Sequence, residues 1–288
     1  MEVVKRKGQS SLLTIGGITK STAQWAEDTG IDSATISRRI RNGWSEEEIF
    51  KEIIPAQRYD FNEHYFDTID NEHKAYWLGF IWADGYMAIR HRNNRTSYEF
   101  KLSLKYDDWE HLVKFNSDLN GKYKVKFYEQ QTSFGEYKEA RLLITNQHFG
   151  KTLSDKYGII PHRSDCSKII EAIPEFLMKH FIRGLIDADG SFCKYNIVER
   201  GYDVNKYRVS IGTNEELLRI IEKHLMYNNI INISERKLYQ RHQGHDGEYK
   251  TLEISGKEQC LSLLNYIYND ANIYLNRKYK KYLDIYGI

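Results

Sequence analysis

Two short apolar runs end in the same three residues. Residues 77–85 read WLGFIWADG and residues 182–190 read IRGLIDADG. Each run ends with a carboxylate, Asp84 or Asp189, followed by a glycine. The last turn of a helix carries the negative pole of the macrodipole, so an acid there is unfavourable by roughly 0.3–1 kcal/mol. One such acid is unremarkable. Two at matching places suggest a cation, which turns the carboxylates and the helix-end carbonyls into ligands. Paired acids holding a divalent ion beside a basic surface suit phosphodiester hydrolysis. Metals about 3.5–4 Å apart can activate a water and stabilise the leaving oxygen. No P-loop, His-rich metal motif or Ser-His-Asp order offers a competing chemistry.

The two acids must be brought together by the elements that carry them. Gly79 and Ala83 are four residues apart, as are Gly184 and Ala188. That spacing puts two small residues on one helix face, where a second backbone can approach closely. If the helices pack through these faces, Asp84 and Asp189 meet where both helices end. Gly85 and Gly190 are expected to be left-handed residues that stop the helices.

The motif acids lie 189 − 84 = 105 residues apart, and similar patterns follow each. After Asp84 come strand patterns at 85–92 and 97–106, a helix at 107–119, strands at 122–130 and 139–146, and a helix at about 147–157. After Asp189 come strands at 191–200 and 206–213, a helix at 214–225, strands at 231–240 and 248–255, and helices at 257–268 and 276–286. The expected fold is α+β: two pseudo-symmetric αββαββα units, each with an antiparallel sheet. Glu99, Lys101, Ser103 and Lys105 alternate with Phe100, Leu102 and Leu104. Lys122, Lys124 and Lys126 alternate with Tyr123, Val125 and Phe127, and Lys206, Arg208 and Ser210 with Tyr207, Val209 and Ile211. Period-two alternation buries one face and leaves a basic face open to a polyanion.

Residues 1–54 stand outside the repeat and are expected to form a small all-α domain. Ser21 should cap a helix over 22–29 that Gly30 ends, and Asp32 or Ser33 a second helix. Trp25, Ala26, Ile31, Ile36, Ile40 and Trp44 would make its core. The pattern is that of a helix-turn-helix, whose second helix would present Arg38 and Arg41 to DNA. The expected division is 1–54, 55–174 and 175–288. Of 288 residues, 41% are hydrophobic and 28% charged, with a net charge of +2, which fits a soluble globular protein. No apolar run approaches the ~18 residues of a membrane span, and no secretory leader is expected. Three widely spaced cysteines form neither a disulfide framework nor a zinc pattern.

Both runs resemble the signature helix of the LAGLIDADG homing endonucleases, the second more closely. YFDTIDNEHKAYWLGFIWADGYM (65–87) resembles the lead-in and first helix of that family. GIIPHRS (158–164) resembles the close of a first half and LNRKYKKY (275–282) the close of a second. The resemblance covers about residues 55–288; the head resembles small modules attached to phage-type endonucleases. It implies saddle-shaped sheets in the DNA major groove, with Lys101, Lys105, Lys122, Lys124, Lys126 and Arg208 against the backbone. It also implies Mg²⁺ or Mn²⁺ on Asp84 and Asp189, and cutting of both strands of a long pseudo-palindromic duplex by a monomer. By position, Arg163 and Lys278 would lie near the scissile phosphates, with Arg277 as the rival of Lys278. Trp82 stands in place of the motif's first Asp and should alter packing only; Arg183, in place of a small residue, is expected on an outer face. The alternatives are an intron RNA maturase and a non-cleaving DNA-binding regulator. An intron-encoded or free-standing gene, in a bacterial or phage-infected cytoplasm or an organelle, fits this reading. Protein splicing is not expected: the chain has no N-terminal Cys or Ser and ends IYGI.

Overall fold

The computed structural model describes residues 2–4, 12–15, 17–50, 60–92, 95–132, 135–161, 165–232, 238–240 and 249–287. The chain divides into two compact units, Met1–Arg58 and Tyr59–Ile288. No helix among the described residues is long and apolar enough to cross a membrane.

The N-terminal unit is not all-α. Strands β1 (Glu2–Val4), β2 (Leu12–Ile15) and β3 (Ile18–Ser21) form an antiparallel sheet ahead of α1 (Thr22–Thr29), α2 (Ser33–Arg41) and α3 (Glu46–Ile49). The strands are three or four residues long, too short for a clear period-two signal. The helix ends follow the sequence. Ser21 accepts from Gln24 N, Gly30 has φ +71°, and Asp32 accepts from Ala34 N and Thr35 N. Leu13, Ile31, Ile36 and Ile49 are buried together, with Trp25, Ala26 and Ile40 packed on them. Trp44 is not in this core; it is exposed, 5.0 Å from the Arg39 guanidinium. Leu13 and Ile49 complete the cluster instead.

In the larger unit the first half runs α4 (Glu72–Asp84), β4 (Gly85–Arg92), β5 (Arg95–Lys105), α5 (Trp109–Asp118), β6 (Lys126–Thr132), β7 (Gly135–Thr145) and α6 (Gln147–Tyr157). A short helix, α7 (Ser167–Ala172), leads into the second half. That half runs α8 (Met178–Ala188), β8 (Ser191–Glu199), β9 (Tyr202–Asn214), α9 (Glu215–Tyr227), β10 (Leu238–Gln240), β11 (Tyr249–Ser255), α10 (Lys257–Tyr268) and α11 (Asn276–Tyr286). The sheets have the same order, β4-β5-β7-β6 and β8-β9-β11-β10, and every neighbouring pair is antiparallel. Each half is therefore the expected αββαββα unit. Register sets the faces: Phe100 lies opposite Ile144 and Leu102 opposite Leu142, all four buried.

Helices α4 and α8 are the centre of this unit. Residues 75–82 of α4 are buried on every side, as are most residues of α8. A helix apolar all round belongs inside a protein. A Cβ added at Gly79 would lie 2.1 Å from the Phe181 carbonyl oxygen, and one at Gly184 would lie 2.0 Å from that of Tyr76. The two backbones therefore touch through the glycines that the spacing singled out, with Ala83 and Ala188 half-buried beside them.

The glycines after the acids act differently from the expectation. Gly85 has φ −72°, and Gly190 is not left-handed either. Both are needed for space: an added Cβ would meet Ile81 O at 2.6 Å or Ile186 Cα at 2.7 Å. Arg183 also departs from expectation. It is fully buried, donating to Ile273 O at 2.9 Å, Ile267 O at 2.8 Å and Glu72 Oε1 at 2.6 Å. The carbonyls lie at and beyond the end of α10, where helix-end oxygens lack intrahelical donors. A guanidinium suits them because its several donors leave in one plane.

Candidate active site

The contacts between α4 and α8 advance in the same direction along both helices. Glu72 meets Arg183, and one turn later Tyr76 donates to Asp187 at 2.8 Å. The helices therefore run parallel and finish at the same end. The charges of Asp84 and Asp189 both favour the protonated form of one side chain, Lys278 of α11. Lys278 is 6% exposed and donates to Gly190 O at 2.7 Å and to Ile186 O. Burial pushes its pKa down to about 8, against the pull of Asp187, Asp84 and Asp189, while Arg277 lowers it further. Arg277 is turned elsewhere, its Nε 2.7 Å from Asp108 Oδ2. Of the two rivals, Lys278 is the one held near the motif acids. Arg163 lies outside the described residues.

Two side chains support this arrangement that the sequence reading did not single out. The Tyr249 hydroxyl, at the start of β11, donates to Asp189 Oδ2 at 2.9 Å. The sequence of residues 241–248 before it has no periodic signal, so spacing could not have tied it to Asp189. Asp187 is fully buried and accepts from Tyr76, Tyr268 and, at 2.7 Å, the backbone N–H of Leu275 at the head of α11. Burial raises its pKa, although hydrogen bonds from Tyr268, Leu275 and Tyr76 and the charge of Lys278 oppose this. Asp187 thus fixes the start of the helix that carries Lys278. At the matching place in α4, Trp82 donates to Thr213 Oγ1 of β9 at 2.9 Å. The indole is 4% exposed, so the exchange of acid for Trp does change the packing.

Two hollows flank the helix ends. One is lined by Ala188, Gly190, Ser191, Phe192, Arg277, Lys278 and Lys281. The other is lined by Trp82, Ala83, Gly85, Tyr86, Met87, Ile160, Pro161, Asn214 and Tyr249. Each opens beside one motif acid. The donor set at the helix ends is two carboxylates, which fits a hard divalent cation that prefers oxygen ligands.

The sheets carry cations on the faces away from the core. Lys101 and Lys105 share the open face of β5; Lys126 lies opposite Arg141, which lies opposite Ser103 on that face. Aromatic rings are interleaved: Lys101 lies 4.7 Å from the Tyr86 ring and Arg141 4.3 Å from that of Tyr128. On the second sheet Arg208 is exposed and 5.8 Å from the Tyr195 ring. The basic character is partly offset, because Glu99 holds Arg90, Glu139 holds Arg141 and Glu253 lies 3.7 Å from Arg208. Lys122 and Lys124 are exposed but precede β6 rather than lying in it, and Lys122 pairs with Asp60 at 3.1 Å. In the N-terminal unit Arg38 and Arg41 of α2 are exposed, while Arg39 is buried on Ile49 O at 2.7 Å.

Two like α+β halves surround one parallel helix pair, each helix ending Ala-Asp-Gly, which is the arrangement the resemblance of the two motifs implied. No family model and no curated protein matches the chain. Solved structures are similar to it. One is the I-LtrWI LAGLIDADG homing endonuclease bound to target DNA (TM-score 0.49, 13% identity, 75% of this chain and 90% of that chain). Another is the LAGLIDADG meganuclease I-AabMI bound to uncleaved DNA (TM-score 0.48, 12% identity, 76% and 90%). A third is I-SmaMI bound to an uncleaved DNA target in the presence of calcium ions (TM-score 0.48, 14% identity, 76% and 90%).

Proposed function

We propose that this chain is a site-specific endonuclease that cuts both strands of a DNA duplex, acting as a monomer on a long pseudo-palindromic site. The observation that carries the reading is the parallel contact of α4 and α8 through Gly79 and Gly184, which brings the two helix ends bearing Asp84 and Asp189 to the same side. This packing supports a single reaction centre shared by the acids of the two halves. Asp84 and Asp189 would hold Mg²⁺ or Mn²⁺, which supplies an activated water and offsets charge on the leaving oxygen.

The protein's own groups do the rest. Lys278, fixed by Ile186 O and Gly190 O, adds positive charge beside the scissile phosphate of one strand. Arg163 is its counterpart by position in the other half. Tyr249 orients the Asp189 carboxylate through its hydroxyl. The open faces of the sheets hold the duplex by phosphate contacts and by tyrosine rings that pack under the cations. Arg38 and Arg41 of the N-terminal unit add DNA contacts.

The test uses a plasmid carrying the target, selected from a library of randomised sites. The wild-type chain with Mg²⁺ should linearise it. Asp84→Asn and Asp189→Asn should each abolish linearisation while retaining duplex binding. Binding of structured RNA without DNA cleavage, or cleavage that survives both substitutions, would overturn the reading.

A further inference from the structure

A second group of metal-ligand side chains lies away from the helix ends, at the junction between residues 60–71 and α6. His64 sits in a turn, where its backbone N–H donates to Asn62 Oδ1 at 3.1 Å. His148 lies in the first turn of α6, fixed by the Asn146 cap, which accepts from Phe149 N at 2.9 Å. Both imidazoles aim at one carboxylate. His64 Nδ1 is 2.8 Å from Asp67 Oδ2, and His148 Nε2 is 2.7 Å from Asp67 Oδ1. The rings lie 4.2 Å apart, and one ligand atom from each of the three residues falls within 4.8 Å of the others. Two nitrogens and a carboxylate oxygen from three side chains are the protein share of an open zinc site, with water as fourth ligand. The side chains of His64, Asp67 and His148 are 62%, 40% and 40% exposed, so an ion and its water can reach them. Each imidazole nitrogen now stands at hydrogen-bond distance from its own oxygen of the Asp67 carboxylate. The edge of a tetrahedral zinc site, roughly 3.3 Å, falls between these distances and the 4.8 Å that bounds all three ligand atoms.

We propose that His64, Asp67 and His148 form a site for a divalent transition-metal cation, Zn²⁺ or Ni²⁺, that staples residues 60–71 to α6. Imidazole nitrogens select such ions over Mg²⁺, which sets this site apart from the all-oxygen pair of Asp84 and Asp189. The local charges agree. Glu63 lies 3.9 Å from His64 Nε2 and is itself held by Asn146 Nδ2 at 2.6 Å, so it adds negative charge. Lys156 donates to the main-chain oxygen of Asp67, not to its carboxylate. The Tyr157 hydroxyl already ties α6 to Phe66 O at 2.6 Å. A bound ion would add a second tie to the stretch that leads straight into α4.

The experiment titrates ZnCl₂ into the full chain, in millimolar Mg²⁺, by calorimetry, and follows thermal unfolding with and without Zn²⁺. Both are repeated on an Asp84→Asn, Asp189→Asn chain, which lacks the acidic pair. One equivalent of Zn²⁺ should bind to both chains and raise both melting temperatures, since binding to the folded state alone stabilises it. Affinity should fall at least tenfold in His148→Ala and in His64→Gln, with the thermal shift lost. Absence of Zn²⁺ binding by either chain, binding unchanged in both histidine variants, or displacement of Zn²⁺ by Mg²⁺ would overturn the proposal. Because the double Asp variant is included, this outcome stands apart from the fate of the nuclease reading.

Discussion

The sharpest consequence of the helix pair is the effect of one added methyl group. In Gly184→Ala the new Cβ would lie 2.0 Å from Tyr76 O and 2.8 Å from Phe80 N, where ordinary contact begins at 3.4 Å. The larger shortfall is therefore 3.4 − 2.0 = 1.4 Å, and the atoms in the way are backbone. A rotamer change cannot relieve it, so α4 and α8 must part by about 1 Å. Overpacking of this kind costs about 1–3 kcal/mol. Because both motif acids sit at the end of this pair, parting the helices also parts the carboxylates. Misplacing catalytic groups by about 1 Å can slow a reaction about 100-fold. Urea unfolding should read the first loss and single-turnover cleavage the second, while duplex binding through the sheet faces changes little. Gly79→Ala, whose Cβ would meet Phe181 O at 2.1 Å, should behave alike. The pair should be non-additive, since one separation relieves both clashes. A Gly184→Ala protein of wild-type stability that cleaves at the wild-type rate would refute the close approach and the reasoning built on it.

Replacing Arg183 by Met should destabilise the protein by about 3–5 kcal/mol in urea unfolding, because Glu72 and two buried carbonyls lose their donor. Lys126→Ala and Lys101→Ala should each weaken duplex binding and flatten the salt dependence by about 0.9 in slope; an unchanged slope would remove that residue from the phosphate surface. His111 provides a pH prediction. Burial, aided by Lys114, holds its pKa down at about 3 against an ordinary 6.5. The folded chain thus refuses a proton that the unfolded chain takes up below 6.5. Stability from this group is complete above 6.5 and drains away as the pH falls toward 3. At pH 5 the loss is about 2 kcal/mol, and His111→Gln should be spared it when urea midpoints at pH 7 and pH 5 are compared.

The repeat and its elements were legible because period and caps agree. The helices at 147–157, 257–268 and 276–286 begin and end where their apolar spacing does. The close approach at Gly79 and Gly184 could be read from small residues four apart. Less visible was anything set by long-range packing. Arg183 looks like a surface residue until the end of α10 supplies carbonyls for it. Tyr249 finds Asp189 only because β11 pairs with β9 in one register, Tyr249 opposite Asn214. The glycines after the acids were recognisable as necessary. Their reason, crowding against Ile81 and Ile186, lies in the turn before each and not in their own dihedral angles. The strands of the N-terminal unit are too short to announce themselves.

Asp187 belongs to the second half by sequence, yet one of its three donors, Tyr76, belongs to the first. The two halves are therefore not interchangeable parts. A chimera that borrows α8 from another chain would bring a buried acid into a place furnished for this one. It would find both of its phenols only if the α4 beside it also carries tyrosine at position 76. Recombining halves to redirect such a protein means moving residues 76 and 187 as a single inherited unit.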